Sequence, residues 1–221
     1  MEFNIFVIKQ HWPLLAQGAL MTIIMCSASL VLGAILGLVL CYGKMRRRGI
    51  FFRIAAVIID VFRTLPELVP LIWIYSVGPL IFNFTITAPG AAILALTLWA
   101  GANLAEIYRA GVEAVPRGQY EAARSLGIPG FWMWSVIIAP QSVRMMTPPF
   151  VNFVCDLVKG SSLLSAIGVA ELAYQATVIS GETFRYLEIF TVAAVFYFII
   201  IFPMSLFARV REKMLNEARA S

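Results

Sequence analysis

Charge is scarce in this 221-residue chain: 13% of its residues are Asp, Glu, Lys or Arg and 61% are apolar. Mean hydropathy is +0.86. A soluble domain with this composition could bury a core but would lack the polar surface to cover it. The chain therefore reads as a polytopic membrane protein with one domain over residues 1–221. Histidine is nearly missing; His11 stands alone, which excludes the paired-histidine zinc motif of metallohydrolases. Cys26, Cys41 and Cys155 lie inside apolar runs with no Cys-x-x-Cys spacing. They exclude a disulfide framework and read as small buried hydrophobes. There is no G-x-x-x-x-G-K-[ST], so the chain is not expected to cradle a nucleotide phosphate itself. The net charge of +5 is not gathered on a basic, aromatic-laced face, which argues against nucleic acid. No cleavable leader is expected, because the first apolar run is too long for one and is followed by positive charge.

Apolar runs dominate instead. Five spans can be drawn, at about 18–42, 51–77, 89–110, 131–158 and 187–208. Each reaches the roughly 20 residues that a helix needs to cross the hydrocarbon core. Helices are expected because backbone polar groups in lipid must be satisfied within the segment, and membrane strands would alternate in shorter runs. Lys44, Arg46, Arg47, Arg48 and Arg53 fall at one side, with Arg109, Arg117, Arg124, Arg209, Arg211, Lys213 and Arg219. Lys9, Lys159 and Arg185 fall at the other. This bias predicts an outside N-terminus and a cytoplasmic C-terminus. The interval from Lys159 to Thr183 then lies outside. Ile167, Leu172, Ala176 and Ile179 recur there at near-helical spacing, which fits a helix capping the bundle or one dipping into it as a gate.

The segment 121-EAARSLGIPGFWMWSVIIAP-140 interrupts the apolar pattern. Pro116 suits a helix start, Gly127 a left-handed end, and Pro129 prevents resumption. The result is a helix over about 116–127 on the cytoplasmic side, too short to be stable alone in water. Ala122 and Ala123 would let its backbone sit deep in a groove, with Leu126 on the same side and Glu121 and Arg124 at the edges. Physical reasoning leaves two readings open: a loop helix packed under its own bundle, or a helix held by another protein.

Charges also occur at bilayer depth, where they ordinarily face a protein interior or a water path. Asp60, Arg63 and Glu67 share helical spacing in the second span, Asn103, Glu106 and Arg109 in the third, and Asn152, Asp156 and Lys159 in the fourth. They could be ion-pair ladders that fix registry. They could also line a polar path for a zwitterion, for which Arg63 with Glu67, and Asp156 with Lys159 near Asn152, each supply both signs.

The spacing of Glu121, Ala122, Ala123, Gly127, Ile137 and Pro140 resembles the signature of the membrane subunits of binding-protein-dependent ABC importers, with Ala139 where the pattern has Leu. Three further stretches, Val61–Tyr75, Ala105–Gly127 and Leu157–Leu172, are similar to the branch that imports polar amino acids of the histidine, glutamine, arginine and glutamate type. The resemblance implies a type I importer transmembrane domain in a bacterial cytoplasmic membrane. It also implies that Glu121, Ala122, Ala123, Leu126 and Gly127 belong to a coupling helix that docks on an ATPase subunit. The chain would be a non-catalytic subunit with no cofactor of its own, ATP and Mg residing in partner ATPases. A second permease subunit, like or unlike this one, and an extracytoplasmic solute-binding protein would complete the assembly. Glu67 follows Pro66 at a position that is acidic in some members for basic amino acids. The competing reading is a secondary transporter working without an ATPase, although no internal repeat of the kind such proteins show is present.

Overall fold

The computed structural model describes residues 3–220, with side chains through residue 213. The side chain of Arg219, one of the cations assigned to one side of the membrane, lies outside the described residues. Every regular element described is helical.

Helix α1 (Ile5–Met45) starts at Asn4, whose side chain accepts from Phe6 N at 2.9 Å. Its 41 residues span about 60 Å, twice the hydrocarbon core. Only its second part corresponds to the expected first span. A turn with Arg47 in the left-handed region (φ 57°) leads to α2 (Ile50–Thr64). Here the structure departs from the expected second span. The run 51–77 is not one helix: Leu65 is extended (ψ 139°) because Pro66 disfavours helical backbone in the residue before it. Helix α3 (Leu68–Phe82) restarts beyond, with a π-helical turn at Trp73–Val77. Helix α4 (Ala88–Glu113) is capped by Thr87, whose hydroxyl accepts from Gly90 N. The nine-residue α5 (Arg117–Ser125) follows. Helix α6 (Gly130–Ile167) opens with a π-helical turn at Met133–Ile138 and tightens to 3-10 geometry over Ser161–Ile167. Helices α7 (Leu172–Thr183) and α8 (Tyr186–Ala220) complete the chain. Among the described residues, four helices, α1, α4, α6 and α8, are long and apolar enough to cross a membrane.

The bundle closes on small residues. Helices α1 and α4 lie backbone to backbone: a Cβ added at Gly33 would sit 2.6 Å from Ala100 Cβ, and one at Gly37 would sit 3.0 Å from Leu104 Cβ and 3.2 Å from Ala105 N. From the opposite side, a Cβ at Gly101 would meet Leu36 at 2.7 Å. Lipid offers no hydrophobic drive for helices to associate, so close approach through Gly and Ala takes its place. The main core extends from this seam through Ala91, Ala95, Leu96, Phe153, Leu157 and Leu164. A second cluster joins Leu15 and Ala19 of α1 to Leu172, Ala176 and Ile179 of α7 and Ile189 of α8. The interval expected to cap the bundle or dip into it as a gate packs against α1 and α8, with Ile167, Leu172, Ala176 and Ile179 all buried. The large apolar side chains that remain exposed on α1 and α8, such as Ile24, Val31, Leu38 and Phe198, suit a lipid-facing surface. The three cysteines are buried and unbridged.

Gly33→Leu should separate α1 from α4 and cost about 1–3 kcal/mol or more. It should be read as a lower thermal midpoint in detergent, beside a Gly181→Ala control where an added Cβ meets nothing within 4 Å.

Candidate functional site

Three features of the bundle bear on function. The first is a narrow, mostly apolar crevice where α3 meets α6, with the carboxylate of Glu67 as its one charged group. The carboxylate of Glu67, at the start of α3, lies against Gly160: an added Cβ there would be 2.6 Å from Glu67 Oε2. The crevice is walled by Trp99, Ala95 and Leu163. One turn back on α6, Asp156 Oδ1 accepts from Lys159 Nζ at 3.1 Å, and both side chains are 61% exposed. Asp156 is close enough to act electrostatically on Glu67. The structure thus brings Glu67, Asp156 and Lys159 together, two carboxylates to one ammonium, with Asn152 exposed one turn away.

Arg63 does not join them. The break at Leu65–Pro66 removes the helical register that would align Arg63 with Glu67, so the pairing expected from their spacing fails. Arg63 Nη1 lies instead 3.9 Å from Glu106 Oε2, in the second feature. There Glu106 forms an ion pair with Lys44 at 2.8 Å through Oε1 and accepts from Arg109 at 2.6 Å through Oε2. Lys44 also reaches Asp60 at 3.7 Å, and Arg109 pairs with Glu113. This cluster ties the end of α1 to α2 and α4. It matches the registry reading of Glu106 and Arg109, and it draws in Lys44, whose sequence signal was only its place in a basic run.

The third feature is α5 itself. Pro116 precedes it, and Gly127 ends it in the left-handed region (φ 68°). Ile128 N bonds back to Ala123 O and Gly127 N to Arg124 O, both at 3.0 Å, a Schellman-type closure that satisfies the last carbonyls. Ala123, 2% exposed, plugs into a small cluster with Val115, Met133 and Ile138. Tyr120 OH donates to Val112 O, and Gln141 Nε2 to Gln119 Oε1. The expected common face of Ala123 and Leu126 is not formed. Ala123 points inward, whereas Leu126 is 77% exposed and shares the outer face with exposed Glu121 and Ala122. Nothing lies within 4 Å of a Cβ built on Gly118 or Gly127, so this face is open. Phe131 and Trp132, just beyond, are also exposed.

Sequence reasoning passed over a buried hub at the opposite end. Glu171 caps α7 and is fully buried. It accepts from Tyr174 N at 2.7 Å, Ala173 N at 2.9 Å, Tyr197 OH at 2.9 Å and Thr22 Oγ1 at 3.4 Å. Thr22 in turn accepts from Leu172 N at 3.2 Å. Burial pushes the Glu171 carboxyl above the usual carboxylate range, against the pull of these donors. Gly18 makes room for it: an added Cβ would be 2.9 Å from Leu172 Cα. An acidic residue directly before an apolar helical run is a cap signal, but the sequence does not say that the cap is shared by α1 and α8. Arg144, exposed on α6, was likewise passed over; it forms no ion pair with a carboxylate among the described residues.

Residues 29–216 match the family described as the binding-protein-dependent transport system inner membrane component. A putative glutamine transport system permease protein of Rickettsia typhi is 31% identical over 90% of this chain and 91% of its own length. An arginine transport system permease protein of Bacillus subtilis is 31% identical over 92% of this chain and 93% of its own. The crystal structure of an amino acid ABC transporter with histidines superposes with a TM-score of 0.87 at 33% identity, covering 97% of this chain and 100% of that one. An inward-facing MetNI methionine ABC transporter shares the fold at 20% identity, with a TM-score of 0.73 over 93% of this chain and 97% of that one.

Glu171→Ala should leave four donors without their acceptor, that of Thr22 buried and the other three part-buried, and lower the thermal midpoint, a fully buried unsatisfied group costing about 1–3 kcal/mol. Tyr197→Phe, which removes one donor, should cost about 1 kcal/mol. Comparing both unfolding midpoints in detergent checks the hub.

Proposed function

The chain belongs to the family of binding-protein-dependent transport system inner membrane components, and on that premise we propose that it is the permease subunit of an ABC importer for a polar amino acid. The names of its relatives, permeases for glutamine and arginine among them, support the substrate class. In this reading the broken pair α2–α3 makes the fifth crossing beside the four long helices, the N-terminus is outside and the C-terminus cytoplasmic. Two membrane subunits, alike or different, would pair with two ATPase subunits and receive substrate from a solute-binding protein. The chain is non-catalytic and binds no cofactor; ATP and Mg act in the ATPases.

The observation that carries the proposal is the open face of α5. A nine-residue helix is held on its inner side by Ala123, Tyr120 and Gln119, while Glu121, Ala122 and Leu126 face away from the bundle. Such a face suits a cleft in another protein. Gly127 stops the helix and α6 restarts within a few residues with a π-helical turn, a geometry often found at functional hinges. Displacement of α5 by nucleotide-driven closure would thereby reach α6, and alternating access follows as a shift between inward-open and outward-open states. A secondary transporter leaves this open face unexplained.

The substrate path is proposed to pass Glu67 and, beside it on α6, Asn152, Asp156 and Lys159, with Arg63 on the same route towards the cytoplasm. Lys159 would meet a carboxylate, and Asp156 and Glu67 an ammonium. The excess of carboxylates favours a substrate with an additional positive charge.

Purification of the tagged chain from mild detergent should bring down an ATPase with vanadate-sensitive turnover. Glu121→Ala and Gly127→Val should leave assembly intact but reduce uptake about tenfold or more per ATP hydrolysed, roughly 1.4 kcal/mol of lost coupling. Normal uptake would remove α5 from the coupling role. Glu67→Gln and Asp156→Asn should raise the KM of uptake for a cationic amino acid more than for a neutral one. An equal effect on both would assign the crevice to structure.

A further inference from the structure

At the end of the bundle where α1 stops and α4 gives way to α5 lies a cavity of about 550 Å3. Four cations line it, Lys44, Arg47, Arg109 and Arg117, against the single carboxylate of Glu113. We propose that this cavity holds the phosphate-bearing headgroup of an anionic phospholipid.

Charge is the first argument. Lys44 and Arg109 are engaged by Glu106, and Arg109 also by Glu113. Arg47 and Arg117 form no ion pair with a carboxylate among the described residues. Two guanidinium groups therefore face the cavity without compensation, and guanidinium is suited to fork-like hydrogen bonding with phosphate oxygens. Arg47 is carried by left-handed backbone (φ 57°), a conformation that residues other than glycine adopt at a cost.

The remainder of the lining argues for an amphiphile. Val112, Val115 and the edge-on pair Tyr120–Trp134, with ring centroids 6.5 Å apart, supply apolar and aromatic surface. A free oxyanion would use only the cations and would occupy a small part of the volume. Position is the third argument. The cavity sits at one end of the apolar helices α1 and α4, the level at which a spanning helix meets the headgroups, where Trp and Tyr collect and where basic pockets between helices take anionic headgroups. Assignment to the cytoplasmic leaflet rests on the orientation proposed above; the binding chemistry does not.

A headgroup there would bridge the α1–α2 turn, through Lys44 and Arg47, to α5 and the start of α6, through Arg117, Tyr120 and Trp134. The lipid would brace the inner side of α5 while its outer face stays open.

The full-length chain, purified in mild detergent, can be titrated with phosphatidylglycerol and read by native mass spectrometry. Phosphatidylcholine serves as the zwitterionic comparison and inorganic phosphate as competitor. Phosphatidylglycerol should bind in preference, and millimolar phosphate should not displace it. The double variant R47Q/R117Q should weaken binding about tenfold or more, as removal of two surface cations implies. The variant R209Q/R211Q, which removes exposed cations of α8, should bind as the parent does. Equal binding of the two lipids, or equal loss in the two variants, would overturn the site. Displacement by phosphate would reassign it to a free anion and overturn the lipid. The readout uses neither uptake nor orientation, so failure of the permease reading in a transport assay is separable from failure here.

Discussion

The contact between α1 and α4 sets the geometry of everything else. Gly33 and Gly37, four residues apart, remove side chains from one face of α1 so that Ala100, Gly101 and Ala105 can meet its backbone. A transmembrane bundle gains no hydrophobic advantage from pressing helices together, so its cohesion rests on van der Waals contact, which falls away within an ångström. That seam places Glu106 beside Lys44 at one end. It also leaves the α1 surface around Gly18 and Thr22 free to receive Glu171 and α7 at the other.

The two ends are built on opposite principles. At the Lys44 end a charged network, partly open to water, links α1, α2 and α4 and borders a cavity with surplus positive charge. At the Glu171 end one carboxylate, entirely enclosed, gathers donors from α1, α7 and α8. Both lock helices that are distant in sequence. Between them Asp156 and Lys159 are exposed and paired to each other, and Glu67 is half-buried beside them.

Much of this was legible in the residues. Long apolar runs could only be helices in lipid, so α1, α4, α6 and α8 followed from hydropathy and length. The start and stop of α5 followed from Pro116 and Gly127, whose backbone preferences are local. The i, i+3 pairing of Glu106 with Arg109, and of Asp156 with Lys159, needed nothing beyond the helical repeat. Spacing grouped both Ala122 and Ala123 with Leu126; Ala122 does share its exposed side, while packing turned Ala123 inward against Met133 and Ile138. The second span failed as a continuous helix although Pro66 was in plain view, because hydropathy registers the run and not the backbone break.

What the sequence by itself determined is whatever depends on neighbours along the chain: membrane residence, the existence of the four long helices, the turn after α5 and the family motif. Tertiary structure alone decided which distant groups meet. Arg63 went to Glu106 and not to Glu67, Lys44 became part of an ion cluster, and Glu171 found Thr22 and Tyr197 across roughly one hundred and fifty and twenty-six residues respectively. The physical reason is that periodicity assigns a residue to a face of its own helix. Which face of which other helix lies opposite depends on how closely the backbones approach, and here two glycines and an alanine-rich partner set that distance.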